Sequence, residues 1–313
     1  MKKEIILIIS FLSFLVITYL LLDTFYTPYI GLKILLILVL NTLNFVLVFI
    51  YLWIDKKYKN HENGKTATQE KSTLRDLTLA RNIQESLFPK FAEIPGMEFV
   101  VFRKTHTDLG GDFYDFVKLR EGNVGIFMTD VAGHGIASAM VASMIKVMVA
   151  TIPYVNKVNP EQLLDYLDKK MSFDFHSQHA TAIYIYINFQ TKEIYIANGG
   201  HPYIIYQKKG EEFKELESRG SLLGYSICDP VAENFHFTYE PGDRFFIYTD
   251  GLVENLTNDG RMLESQGLVS ILNEKKSETS LEKLKEHILE EVLLFNENKE
   301  FNDDVMFMIV ELK

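Results

Sequence analysis

The pattern of apolar and polar positions changes character twice along the chain. Ile5 to Leu22 is an uninterrupted uncharged run, and Ile34 to Ile54 is another. Each is close to the ~20 apolar residues that a helix needs to cross a bilayer. Asp23 to Lys33 lies between them, with Pro28 and Gly31 suited to a turn. Residues 1–54 therefore predict a two-helix transmembrane hairpin. The apolar run is too long for a cleaved signal peptide, and no small-residue cleavage pattern follows it. Residues 55–73, "DKKYKNHENGKTATQEKST", are polar and charged and read as a linker. Leu74, Leu77, Ala80, Ile83 and Leu87 then recur at helical spacing until Pro89 stops the run, which predicts a linker or signal helix within 74–90. Its apolar stripe can pack on the domain that follows or on a second copy, so residues 74–88 are a candidate homodimer contact.

From residue 96 the period shortens. "GMEFVVFRKT", "GDFYDFVKL", "NVGIFMTDV", "TAIYIYINF", "EIYIANGG", "PYIIYQKK", "DRFFIYTD" and "VMFMIVEL" are aromatic or β-branched and bounded by turn residues, so they predict strands. Helical patterns interrupt them from Ile136 to Thr151, from Asn159 with Pro160 at the first position, and from Thr279, where Thr279 and Glu282 fit a capping box. Clustered strands with a few separate helices indicate an α+β domain over 91–313, with sheets packed together and helices outside.

Charge orients the hairpin. Lys2 and Lys3 precede the first span, Lys56, Lys57 and Lys59 follow the second, and the turn between offers only Lys33. The positive-inside rule places both ends, and the 91–313 domain, in the cytoplasm. Tyr26, Tyr29 and Trp53 stand where interfacial aromatics are expected. The net charge of −10 argues against nucleic acid as a partner, which calls for a basic face. The single cysteine, Cys228, excludes an intrachain disulfide and a thiolate metal cluster, and reads as a buried small hydrophobe.

The candidate chemistry lies in carboxylates at strand tips. Asp112 follows two glycines in "DLGGDFYDF". Asp130 ends a strand before the "GHG" loop, and Asp250 ends "RFFIYTDG". Asp303 and Asp304 precede the last strand in "FNDDVMFMIV". A lone Asp-Gly is ordinarily a turn. Several acids at the tips of different strands can instead converge on one cleft, where oxygen-only ligation suits Mg²⁺ or Mn²⁺. Two such ions lower the pKa of a bridging water and clamp a phosphoryl group for in-line attack.

In order and spacing, "GGDFYDF … DVAGHG … NGGHP … YTDGLVE … DDV" resembles the PPM-type metal-dependent protein serine/threonine phosphatases, in the bacterial branch that contains SpoIIE and RsbU. "LARNIQESLFP" also looks like the helix ahead of the domain in that branch. The resemblance covers roughly 75–313 and implies a two-sheet antiparallel sandwich flanked by helices and two Mn²⁺ or Mg²⁺ ions. Asp130 would bridge both ions, the Val131 carbonyl would be a backbone ligand, Asp250 and Asp303 would hold the first ion, and Asp112 would act near the second. Asp304, His134 and Gly111 are further candidates, and Gly133 and Gly135 would clear space for the loop beside Asp130. Asp108 and Asp115 read as solvated, and His201 as structural or at the cleft rim. The implied substrate is a phosphoserine or phosphothreonine protein, with an anti-sigma-factor antagonist as the branch's example. Two departures stand out: Met306 where Thr or Ser is usual, and Ala132 where Ser is common. Neither removes a ligand. The alternatives are an inactive membrane-bound scaffold of the same fold, or a nucleotide cyclase suggested by "GGD".

Overall fold

The computed structural model describes residues 10–16, 18–19, 30–90, 93–175, 178–254, 256–257, 259–297 and 301–313. The chain divides into two compact units, Met1–Asp76 and Leu77–Lys313. In the first unit, residues 10–16 are helical, and helix α1 (Ile30–Leu87) begins and runs on into the second. Among the described residues one stretch, Leu38–Lys57, is long and apolar enough to cross a membrane, with mean hydropathy 1.8 and no burial. Half of the other expected span, Ile5–Leu22, and most of its turn lie outside the described residues. Asn44 in α1 donates to the Ser10 carbonyl at 3.3 Å and to Ser13 Oγ at 3.0 Å, and its Oδ1 accepts from Ser10 Oγ at 3.2 Å. The polar stretch 55–73, expected only as a linker, is helical throughout. Its Lys, Glu, Gln and Ala residues favour helix, and no proline interrupts them.

Among its described residues the second unit carries ten strands in two antiparallel sheets. These are β1 (Met97–Lys104), β2 (Phe113–Lys118), β3 (Val124–Val131), β4 (Ala180–Asn188), β5 (Glu193–Gly199), β6 (Ile204–Gln207), β7 (Phe213–Leu216), β8 (Phe235–Thr238), β9 (Arg244–Tyr248) and β10 (Val305–Leu312). One sheet has the order β1-β10-β9-β6-β7, the other β2-β3-β4-β5-β8. Helices α2 (Ile136–Thr151), α3 (Tyr154–Lys157), α4 (Pro160–Asp174), α5 (Glu264–Glu274) and α6 (Leu281–Phe295) complete the unit. α2 and α4 pack on the second sheet, and α5 and α6 on the first.

Strand β10 shows why these segments read as unbroken apolar runs. Met306, Met308, Val310 and Leu312 join the core between the sheets, while Val305, Phe307 and Ile309 face the core under α5 and α6. A strand covered on both faces needs apolar residues at every position. The Met306 side chain, one of the departures noted above, is therefore core.

The structure corrects the sequence reading in several places. Strands β7 and β8 and helix α5 were not expected. α6 starts one residue later than proposed: Ser280, not Thr279, is the N-cap, its Oγ accepting from the Lys283 N–H at 3.4 Å. Cys228 is exposed rather than buried. Asp115 is buried and paired with Lys146 of α2, not solvated, whereas Asp108 is exposed beside Arg81. In the last turns of α1, Leu74 and Ile83 face solvent and Gln84 is buried, as is Phe88 just after the helix.

Candidate active site

Two sheets end side by side where the acids stand, and each contributes some of them. On the second sheet, Asp112 immediately precedes β2 and Asp130 is the penultimate residue of β3, opposite Thr181 in the ladder. On the first, Asp250 opens a short 3₁₀ turn after β9, and Asp303 and Asp304 lead into β10. Thr249 joins the halves. Its hydroxyl donates to Asp112 Oδ2 at 2.8 Å and accepts from the Met306 N–H at 3.0 Å.

Glycines allow this convergence. A Cβ on Gly111 would lie 2.7 Å from the Val131 carbonyl oxygen, and one on Gly251 would lie 2.0 Å from the Asp304 carbonyl oxygen. At Gly133 and Gly135 a Cβ would meet nothing within 4 Å. The expected role of these two was to clear space beside Asp130. They supply left-handed backbone, at φ 91° and 85°.

The acids oppose one another's ionisation. The Asp130 carboxyl is raised to about 7, first by burial and then by Asp250, Asp303 and Asp304, against a hydrogen bond with Asp112. Asp112 is raised well above the ordinary range by burial, then by Asp130, with smaller contributions from Asp304 and Asp250. Asp250 is raised by burial, then by Glu254 and Asp303. Carboxylates that repel in this way are the donor set a hard divalent cation stabilises. The residues present therefore fit Mg²⁺ or Mn²⁺. Among the described residues, no three His, Cys, Asp or Glu side chains already stand as a finished cage. The fit thus rests on proximity and donor type.

Asp303 and Asp304 have separate places. Asp304 is buried, and its two oxygens accept from the backbone N–H groups of His106 and Gly111, each at 2.8 Å. It clamps the loop that carries Asp112. The Asp303 side chain is exposed and acts electrostatically on Asp130 and Asp250. Asp303 Oδ1 also accepts from the Asp304 N–H at 2.7 Å. His134 is exposed in its loop. A cavity of about 610 Å³ adjoins Asp250 and is lined by Thr181, His201, Tyr203, Arg219 and Glu254 among others.

The sequence model of the family described as "Stage II sporulation protein E (SpoIIE)" matches residues 120–313, more than half of the chain. The chain belongs to the SpoIIE family. It is 27% identical over 278 residues to the phosphoserine phosphatase RsbU of Bacillus subtilis (strain 168), spanning 88% of this chain and 80% of RsbU. Among solved structures, the SiaA-PP2C domain of Pseudomonas aeruginosa superposes with a TM-score of 0.68 at 19% identity, covering 78% of this chain and 98% of that one. RsbX in complex with magnesium superposes at 0.50 and 18% identity, covering 71% and 98%. These two structures show the shared fold. This SpoIIE-family chain is a PPM-type protein serine/threonine phosphatase. The cyclase alternative falls with that assignment; Gly110 and Gly111 serve to bring the Asp112 loop against Asp304 and Val131.

Sequence reasoning missed two groups at the phosphatase site. Thr249 was visible only as the residue before Asp250. Gln84, a polar residue on the α1 face turned to the domain, donates to the Gly110 carbonyl at 2.7 Å, and its Oε1 accepts from the Gly110 N–H at 3.4 Å. A buried polar residue in an otherwise apolar helical face was the available signal.

Proposed function

We propose that this phosphatase is anchored in the cytoplasmic membrane by a two-helix hairpin. It removes phosphate from phosphoserine or phosphothreonine on a cytoplasmic regulatory protein, of which an anti-sigma-factor antagonist is the best-fitting class. Two Mn²⁺ or Mg²⁺ ions are held by Asp112, Asp130, the Val131 carbonyl, Asp250 and Asp303. When bound, such a pair supplies an activated water and neutralises charge on the transferring phosphoryl group.

The observation that carries the reading is the set of acids from both sheets that raise one another's pKa. Asp304 is left out of the ligand set because backbone donors already engage both its oxygens. Its task is to fix Gly111 and so aim Asp112. Thr249 holds Asp112 from the other sheet. The RsbX–magnesium complex supports the choice of metal, and RsbU, a phosphoserine phosphatase, supports the substrate class. The anchor is supported by the exposed apolar stretch Leu38–Lys57 and by Asn44, whose hydrogen bonds to Ser10 and Ser13 suit two helices side by side in lipid. Residues 74–88 join the anchor to the catalytic unit and are the proposed path for a regulatory signal or for homodimer contact.

The test is Mn²⁺-dependent dephosphorylation of a phosphoserine protein by the detergent-solubilised full chain. Asp130→Asn and Asp250→Asn are each expected to abolish turnover and Mn²⁺ binding by calorimetry. Near wild-type turnover in either variant would overturn the ligand assignment.

A further inference from the structure

Residues 217–234 connect β7 of the first sheet to β8 of the second. The strand registers place this crossing at the end of the sandwich that carries the acids. Leu216, the last residue of β7, pairs with Ile204, the first of β6. β6 runs antiparallel to β9, so this is the end at which β9 delivers Asp250. On the other sheet the Leu223 N–H donates to the Ala180 carbonyl at 2.9 Å, and the Ala180 N–H donates to the Leu223 carbonyl at 3.1 Å. Ala180 is in turn the ladder partner of Val131. A connection this long with no helix or named strand of its own is typically functional.

Its backbone is pinned from several sides. Asp168 Oδ1 of α4 accepts from the Gly224 and Ser226 N–H groups at 2.7 and 3.1 Å, and Asp165 Oδ1 accepts from the Val231 N–H at 2.7 Å. Around Arg219 the hold is closest. Ser218 is buried, and its Oγ accepts from Asn198 Nδ2 at 3.0 Å. The Arg219 carbonyl accepts from the Glu233 N–H at 3.1 Å. Gly220 bridges Ala232, and a Cβ on it would lie 1.8 Å from the Asn198 carbonyl oxygen. The Arg219 side chain, by contrast, is exposed, and among the described residues it has no ion pair or hydrogen bond. It is the only Lys or Arg among the residues that line the cavity of about 610 Å³ beside Asp250, where Glu215 and Glu254 supply two further acids.

We propose that Arg219 is a substrate-contact residue that receives an anionic group of the phosphoprotein in this cavity. The group is either the phosphoryl oxygens themselves or a carboxylate beside the phosphoserine. A chain of net charge −10 with acids crowding its site repels an anionic protein on approach. A guanidinium offers N–H donors in the fork that matches phosphoryl and carboxylate oxygens alike. The pinned backbone presents that fork from a fixed point, so little order has to be imposed when substrate binds. The proposal rests on the phosphoprotein and metal-site readings above.

The test uses the full chain in detergent with Mn²⁺ and three substrates: para-nitrophenyl phosphate, a phosphoserine peptide with alanine neighbours, and the same peptide with aspartate neighbours. Arg219→Ala is expected to lower kcat/KM about tenfold on the aspartate-flanked peptide, equal to ~1.4 kcal/mol, mainly through KM. The other two substrates name the source of the anion. An equal loss on all three, with weaker inhibition by inorganic phosphate, assigns Arg219 to the phosphoryl group; a loss confined to the aspartate-flanked peptide assigns it to a neighbouring carboxylate. Arg219→Lys should restore part of the loss and Arg219→Gln none of it, and the gap between wild type and Arg219→Ala should narrow in high salt. Unchanged kcat/KM on every substrate would overturn the proposal. So would a rescue by Arg219→Gln as good as that by Arg219→Lys, or a loss matched by a lower melting temperature or weaker Mn²⁺ binding, which would make the residue merely structural. Asp130→Asn, run in parallel, separates the levels. If it keeps turnover and Mn²⁺ binding, the metal-site reading fails; if it loses both while Arg219→Ala matches wild type, only the role of Arg219 fails.

Discussion

Replacing Asp130 with asparagine should make the metal-free protein more heat-stable while removing its response to Mn²⁺. The Asp130 carboxyl, ordinarily near 3.8, is raised to about 7 by burial and by the acids around it. Forcing it to ionise in the folded state costs on the order of 4 kcal/mol, at ~1.4 kcal/mol per tenfold change in acidity. Below 3.8 the group is protonated in both folded and unfolded chains, and the fold bears no cost. As pH rises from there, the unfolded chain releases its proton first, and stability falls until the folded group also ionises near 7. Asparagine keeps the shape and removes the charge. Part of the repulsion is shared with Asp250 and Asp303, so a recovery of roughly 2–4 kcal/mol is expected, or about 5–15 °C for a domain of this size. The assay is differential scanning calorimetry of the full chain in detergent with EDTA, at pH 8 and at pH 5. The variant should melt higher at pH 8, the gap should shrink at pH 5, and Mn²⁺ should raise the melting temperature of the wild type alone. A variant that melts at or below wild type in EDTA at pH 8 would refute the reasoning, because the acids would then not oppose one another.

Other perturbations probe the support around these acids. Thr249→Val leaves the buried Met306 N–H unsatisfied and frees Asp112, so it should lower stability by about 1–3 kcal/mol and weaken Mn²⁺ binding, read by melting and titration. Gly111→Ala should be more damaging than Gly133→Ala. The first drives a Cβ into the Val131 carbonyl, whereas the second costs only backbone strain of about 1 kcal/mol; equal melting temperatures would contradict this. For topology, a C-terminal reporter that works only outside the cytoplasm should stay silent, and an active one would reverse the proposed orientation.

How much of this was legible in the sequence depended on burial. β10 and β4 were readable because helices or the other sheet cover both faces, leaving unbroken apolar runs. β7 and β8 are the edge strands of their sheets; they are short and partly exposed, so their apolar signal is diluted. α5 has no side-chain cap at its start, and the cap of α6 lay one residue from the better-looking Thr279. The acids were visible as strand-tip residues. Their division of labour was not, because it depends on backbone donors far away in sequence: His106 and Gly111 occupy Asp304, and only the fold brings them there. Asp115 and Cys228 were misjudged for the same reason. Whether a residue in a polar context faces Lys146 or solvent is decided by packing that no local pattern records.

The grip of Gln84 on Gly110 has a practical consequence for where this enzyme can be cut. The stretch that matches the family begins at residue 120, after Asp112 and β2, so a fragment chosen on that match would discard the edge strands β1 and β2, one from each sheet, and one proposed ligand. Cutting after Pro89 looks safer, yet it removes Phe88, whose ring lies 4.9 Å from that of Phe113, and the amide that holds the Asp112 loop. The shortest piece that retains a complete catalytic centre starts no later than the last three turns of α1. What reads as a tether is, over those turns, the first element of the enzyme.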